Sequence, residues 1–257
     1  MAVTAKTEDR IGWITLDRPP ANSYDRAFVE ELGAAIDQLA EDDEARVVVV
    51  RSSSDKFFSA GADVKNFADG DPDTNNDMVR LAHRVFDRFA AIPKLSIAAI
   101  NGHALGGGYE IALACDVRIA AEGRYRIGLP EVTLGLLPGT GGTQRLPRLI
   151  GRGRALLLMA TGTSVTPDEA ERLGMVDRLV PAEQLDEHVR EVATTIAFGA
   201  PLAIAATKRA VHEGADRPLH EALQVELEQL APLFASHDAR EGMAAFLEKR
   251  RPDYEGR

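Results

Sequence analysis

The spacing of apolar positions changes several times along the chain. Ile11 to Leu16 is rich in β-branched residues, carries Trp13, and is stopped by Asp17-Arg18-Pro19-Pro20, the pattern of a strand ended by a turn. Over Phe28 to Ala40 the apolar residues Val29, Leu32, Ala35, Ile36 and Leu39 recur every three or four positions, which predicts one face of a helix. Val47 to Val50 is a run of four valines bounded by charge and by Ser52-Ser53-Ser54. Such a run predicts a strand covered on both faces, as in a parallel or mixed sheet. Met78 to Ile92 returns to helical spacing, with Val79, Ala82, Phe86 and Phe89 on one side. Leu95 to Ile100 and Val117 to Ala120 predict two more strands, separated by three glycines and an Ala/Leu-rich helix ending at Cys115.

Strand alternating with helix predicts an α/β fold with crossover connections. After about Gly151 helical patterns dominate, at Arg152 to Ala160, Pro167 to Leu173, Ala182 to Ala197, Leu202 to His212, Leu219 to Phe234 and Ala239 to Arg250. Only Val176 to Val180 reads as a strand there. The plan is an α/β core over residues 1–195 and a helical C-terminal region over 196–257, whose apolar faces call for docking or oligomerisation.

Composition narrows the function classes. Of 257 residues, 45% are hydrophobic and 27% charged, the balance of a soluble globular chain. The formal charge of −10 gives no general basic footprint, so nucleic acid is not an expected partner. Cys115 is the one cysteine, which leaves no intramolecular disulfide and no cysteine-based metal cluster. No HxxxH or HExxH occurs, so no metal is expected. The apolar runs are too short to span a bilayer, and the N-terminus has no apolar signal core. The expectation is a cytoplasmic protein with no membrane partner.

Three segments carry candidate chemistry. Phe57-Phe58-Ser59-Ala60-Gly61-Ala62-Asp63 follows the valine strand, and its small residues let a backbone N–H face a ligand; a plain βα turn with a capping Asp is the alternative. Asn101-Gly102-His103-Ala104-Leu105-Gly106-Gly107-Gly108-Tyr109-Glu110 runs from a strand into a helix, whose unpaired N–H groups and dipole suit an anion. Glu110, in the first turn, either complements that dipole or stands beside an anion hole. Gly128-Leu129-Pro130-Glu131 leads into Gly139-Thr140-Gly141-Gly142-Thr143. Glu131 sits among Leu129, Val132 and Leu134, and a carboxylate in apolar company has a raised pKa suited to proton transfer; an exposed loop Glu is the alternative. His103 reads as structural rather than as a base.

With these segments in order, and with Asp17-Arg18-Pro19-Pro20-Ala21-Asn22 before them and Arg240 to Arg250 after, nearly the whole chain resembles the enoyl-CoA hydratase/isomerase (crotonase) superfamily. The resemblance implies a crotonase-like fold of repeated ββα units with a helical C-terminal region, and assembly as homotrimers or homohexamers. It implies an acyl-CoA thioester as substrate and no separate cofactor. By motif position it assigns Glu110 and Glu131 as catalytic carboxylates and the N–H groups of Ala60 and Gly107 as an oxyanion hole. Ala60, Gly61, Ala62, Asp63, Gly106 and Gly107 become substrate-binding. Phe246 and Lys249 match positions that approach the CoA nucleotide, often from a neighbouring subunit.

Two glutamates imply hydration of the 2,3 double bond of 2-enoyl-CoA, as in fatty-acid catabolism. A double-bond isomerase and a non-catalytic acyl-CoA-binding protein are the alternatives. Three departures from the family pattern stand out. Glu110 and Glu131 are separated by 131 − 110 = 21 positions, one more than in the hydratases resembled. Tyr109 stands where a smaller residue is common, and Ser23-Tyr24-Asp25 replaces a more apolar stretch near the CoA entrance.

Overall fold

β1 (Val3–Glu8) and β2 (Ile11–Leu16) open the chain as an antiparallel hairpin; the computed structural model describes residues 1–257. α1 (Arg26–Glu41) follows, capped by the Asp25 carboxylate, which accepts from the Phe28 N–H. One unit then repeats: a long strand, a short strand, and a helical return. The first comprises β3 (Val47–Ser52), β4 (Phe57–Ser59), α2 (Val64–Asp69) and α3 (Pro72–Ala91). The second is β5 (Leu95–Ile100), β6 (His103–Leu105) and α4 (Gly107–Ala114). The third is β7 (Val117–Ala121), β8 (Ile127–Gly128), a 3₁₀ turn over Glu131–Leu134 and α5 (Gly142–Ile150).

The long strands build a six-stranded sheet in the order β1-β2-β3-β5-β7 plus β9 (Arg178–Val180), parallel from β2 onward. The short strands build their own parallel sheet, β4-β6-β8. This is the repeated ββα plan. α6 (Arg152–Thr161) and α7 (Pro167–Leu173) precede β9, and α8 (Leu185–Ala197) follows it.

Both faces of the main sheet are covered. Val48 and Val50 face Phe28, Leu32 and Ile36 of α1 and Phe86 and Phe89 of α3, while Val47 and Val49 face Val189, Ala193 and Ala197 of α8. All four valines are fully buried, as the unbroken apolar run predicts. α4 is buried along its whole length, Gly107 to Ala114, so it shows no amphipathic stripe.

The C-terminal region comprises α9 (Pro201–Gly214), α10 (Leu219–Leu230) and α11 (His237–Glu248). The single helix predicted over Leu219 to Phe234 stops at Leu230 and gives way to a 3₁₀ turn at Ala231–Ala235. Pro232 accounts for the break, since it has no N–H to donate and its ring crowds the preceding turn. α9 docks at the N-terminal ends of β5 and β7: Lys208 Nζ lies 2.8 Å from the buried Asp116 carboxylate and donates to Lys94 O at 2.9 Å. The glycine loops lie at the opposite, C-terminal ends of those strands, where parallel α/β sheets place ligands. Residue 195 falls inside α8, and the chain breaks between α8 and α9 at 198–200. No single helix is long and apolar enough to cross a membrane, and no three His, Cys, Asp or Glu residues are grouped to hold a metal ion.

Candidate active site

The site is assembled around Asn22. Its buried side chain donates to Ser52 Oγ (2.8 Å) and Phe58 O (3.0 Å) and accepts from Arg18 N–H (2.7 Å). This ties the Asp17–Asn22 turn to the ends of β3 and β4. Ser59 Oγ donates to Asn22 O at 2.8 Å and accepts from Gly61 N–H at 3.2 Å, which fixes the loop that follows. Gly61 has φ +83°, and a side chain there would press on Leu105 O at 2.7 Å, so only glycine lets this loop lie against β6.

The oxyanion donor assigned to Ala60 is a correction. Its N–H donates to Ala21 O at 2.9 Å and has no second hydrogen to offer a ligand. Two residues on the situation reverses. Tyr24 N–H donates to Gly61 O and Asp63 N–H donates to Tyr24 O, both at 2.9 Å, so the intervening Ala62 N–H points away from Tyr24 and makes no hydrogen bond within the protein. Gly107 opens α4, where a helix leaves its first N–H groups unpaired. Gly61 lies against it: a Cβ at Gly61 would be 2.9 Å from Gly107 N. The free pair is therefore Ala62 and Gly107.

Gly108 shows how tightly this pair is held. A Cβ there would stand 2.2 Å from Ser59 O and 2.6 Å from Ser59 C, which is β4 backbone and not a movable side-chain tip. Gly108→Ala is expected to lower stability by about 1–3 kcal/mol, the usual range for overpacking. It should also part Ala62 from Gly107. A melting temperature and an activity equal to the parent would show that β4 and α4 are not in this contact.

The two carboxylates differ in environment. Glu110 is 2% exposed and accepts from Thr140 N–H (2.8 Å), Gly142 N–H (2.7 Å) and the Thr140 hydroxyl. The first two share Oε1 and the third reaches Oε2. Three donors hold it as an acceptor. Glu131 is also withdrawn from solvent, yet neither of its oxygens has a hydrogen-bond partner. Its Oε1 lies over Gly106: a Cβ there would be 2.9 Å away. Burial first, and the Glu110 charge second, push the Glu131 pKa up to about 7. Leu129 is buried beside it in sequence, but Val132 and Leu134 are 41% and 56% exposed, so the apolar company expected of them is absent. The additional residue between the glutamates falls in a segment with an exposed turn at residues 122–124, and Glu131 still meets Gly106.

Other expectations divide. A cavity of about 360 Å³ is lined by Arg18, Ser23, Ala60, Ala62, Asp63 and Lys65 among others. Asp63 also caps α2, accepting from Lys65 and Asn66 N–H. Phe246 and Lys249 do not line this cavity. They lie at the end of α11, next to Gly242, which packs on Tyr254; Tyr254 O in turn accepts from Arg46 at the N-terminal end of β3. Phe246 is 83% exposed. Tyr109 points into the core and donates to Met175 O at 2.8 Å. His103 stacks on Phe57 and accepts from Arg126 N–H, a structural role.

Sequence reasoning missed Ala62 as the free donor, and Thr140 and Gly142 as the cradle of Glu110. The Gly139-Thr140-Gly141-Gly142 string is visible in the sequence, but its partner carboxylate is about 30 residues away and only folding brings them together. Tyr24 stands out in the sequence only as a departure near the CoA entrance, not as a residue of the site. Its ring is buried, and a Cβ at Gly107 would stand 1.9 Å from its hydroxyl.

Comparison with known proteins agrees with this architecture. The family model described as Enoyl-CoA hydratase/isomerase matches residues 6–257, and the chain belongs to that family. It is similar to the short-chain-enoyl-CoA hydratase of Clostridium acetobutylicum, at 37% identity covering 97% of this chain and 95% of the relative. It is similar to the crotonyl-CoA hydratase of Syntrophomonas wolfei, at 37% identity covering 98% and 97%. Among solved structures, an enoyl-CoA hydratase from Geobacillus kaustophilus superposes with a TM-score of 0.97 at 44% identity, covering 100% of this chain and 97% of that one.

Proposed function

We propose that the protein is a hydro-lyase that adds water across the 2,3 double bond of 2-enoyl-CoA thioesters. The observation that carries this is a pair of carboxylates withdrawn from solvent, in opposite hydrogen-bonding environments, beside two free N–H groups. Glu110 is held by three donors, and Glu131 has two unpartnered oxygens and a pKa near 7. Family membership and the hydratase names of the relatives support the same reading.

The thioester oxygen accepts from the N–H groups of Ala62 and Gly107. As water attacks the β-carbon, Glu110 takes its proton and the enolate charge develops on that oxygen. The two N–H groups and the N-terminal dipole of α4 stabilise this charge; loss of one good donor of this kind typically slows turnover by roughly 10²–10³-fold. Glu131, protonated, delivers a proton to the α-carbon. Dehydration runs the same steps backwards. The scheme uses no metal and no redox cofactor, and CoA is part of the substrate.

Arg18 and Lys65 flank the cavity that continues from Ala62, and their charges suit the phosphates of CoA. Phe246 and Lys249 are distant from their own chain's cavity, so a nucleotide role for them requires a neighbouring copy. Exposed apolar residues on α10 and after it, including Leu219, Leu223, Leu227 and Phe234, support a homotrimer or homohexamer.

Purified protein with a short-chain 2-enoyl-CoA should lose the conjugated-thioester absorbance and yield a product heavier by one water. An inert protein that binds CoA esters would overturn the reading in favour of a binding role. A mass-neutral shift of the double bond would make it an isomerase.

A further inference from the structure

One polar side chain stands beside the free N–H of Gly107. At helical φ, about −60°, the N–H and Cα–Cβ bonds of a residue lie on the same side of the N–Cα bond, nearly eclipsed. An acceptor on Gly107 N–H is therefore about 3.5 Å from the place a Cβ would occupy. The Tyr24 hydroxyl stands within 1.9 Å of that place, so it flanks the oxygen that Gly107 would bind. Tyr24 reaches this point from Ala62, the other donor of the pair. Its backbone N–H donates to Gly61 O and its carbonyl accepts from Asp63 N–H, both at 2.9 Å. The ring is fixed by Phe28 at 6.2 Å and by Phe86, edge-on, at 6.3 Å. The residue is 3% exposed and cannot swing to solvent. The other buried tyrosines give their hydroxyl hydrogens to backbone carbonyls, Tyr109 to Met175 O at 2.8 Å and Tyr125 to Ile100 O at 3.2 Å. Tyr24 makes no such bond, and its oxygen is not sealed off as the two unpartnered oxygens of Glu131 are. Burial raises its pKa, so the hydrogen stays in place to be donated.

We propose that the Tyr24 O–H is a third donor to the thioester oxygen, engaged as the enolate forms. A thioester carbonyl oxygen has two lone pairs, which the N–H groups of Ala62 and Gly107 occupy. As charge gathers on that oxygen it accepts a third hydrogen bond. Such a bond is stronger in the transition state than in the bound substrate, so it speeds the chemical step without tightening substrate binding. Tyrosine at this position is a departure from the family pattern, so the third donor is a feature of this chain. A phenylalanine at 24 would keep the ring packing and the backbone bridge and remove only the donor. The proposal rests on the hydratase reading for the reaction and on the Ala62–Gly107 pair for the place.

The test pairs kinetics with a bound enolate. Acetoacetyl-CoA carries the same thioester, and its enolate absorbs in the near ultraviolet where the keto form does not. Tyr24→Phe is expected to lower kcat for hydration by roughly ten- to a hundredfold, the size of one hydrogen bond to a charged group, with KM and melting temperature little changed. The fraction of bound acetoacetyl-CoA present as enolate at a fixed pH should fall as well. A tyrosine that only holds the fold would move KM and the melting temperature and leave that fraction alone. An unchanged kcat overturns the proposal, as does a lower kcat with an unchanged enolate fraction. Replacing Tyr24 by 3-fluorotyrosine keeps the ring and the hydroxyl and makes a stronger donor, so the enolate fraction should rise. No rise there sinks the proposal even if phenylalanine disturbs the fold. If the parent protein does not hydrate 2-enoyl-CoA, the hydratase reading fails by itself. The enolate fraction then decides the donor: the same value in the parent and in Tyr24→Phe rules it out.

Discussion

Glu131→Gln is expected to slow hydration of 2-enoyl-CoA by roughly 10²–10⁴-fold, the usual contribution of a positioned general acid. Glutamine matches the carboxyl in shape but has no proton to give the α-carbon. The loss should fall on kcat, since in the proposed scheme Glu131 serves the reacting carbon and not the CoA handle. The parent's pH profile should show a basic limb near 7, where Glu131 loses its proton, and this limb should vanish in the variant. Dehydration should show the opposite limb, because Glu131 must then be ionised to accept a proton.

Stability moves the other way. The Glu131 pKa is raised from an ordinary 4.5 to about 7 in the fold, so the native state favours its protonated form. The stabilising contribution of that form is fully present below pH 4.5 and is lost as pH rises through 7. Above pH 7 the fold carries an ionised buried carboxylate at a cost on the order of 3 kcal/mol, which glutamine does not incur. Glu131→Gln should therefore melt higher than the parent at pH 8, with the gap closing towards pH 4. Equal melting curves at pH 8 would show that Glu131 is not held in a low-dielectric site, and the acid role would lose its physical basis.

The parts of this molecule that were legible in the sequence are those with enough residues to show a period. α1 and the Val47–Val50 run each declare themselves through spacing and unbroken burial, and Leu95–Ile100 matches β5 residue for residue. β4, β6 and β8 are only two or three residues long, too short for an alternation to show. The site divides in the same way. Glu110 and Glu131 are marked by their glycine and proline neighbours. Which N–H is free is not, because it depends on the positive φ of Gly61 and on the bond from Ala60 to Ala21 O, a partner 39 residues away. Tyr24 belongs to an irregular segment with no period, so its side-chain direction is set only when Gly61 and Phe86 arrive. Phe246 and Lys249 match a family motif, yet α11 packs at the other pole of its own chain, a relation that no local pattern encodes.

Glu110 is the sharper test, because its replacement separates chemistry from packing. In Glu110→Gln the side-chain oxygen can remain at the Oε1 position and accept from Thr140 and Gly142 N–H, while the amide donates to the Thr140 hydroxyl in place of accepting from it. The fold is kept and the base is lost. Expected are a melting temperature close to the parent's and a kcat lower by roughly 10²–10⁴-fold. Glu110→Ala removes the acceptor altogether. It leaves two buried N–H groups and a hydroxyl unpaired, at a typical cost of 1–3 kcal/mol for each buried group left without a partner. Alanine should therefore lower both the melting temperature and the rate. If both variants melted like the parent and kept its hydration rate, Glu110 would be neither cradle nor base. If glutamine alone retained full activity, the proton would leave the water by another route and Glu131 would have to serve as both acid and base.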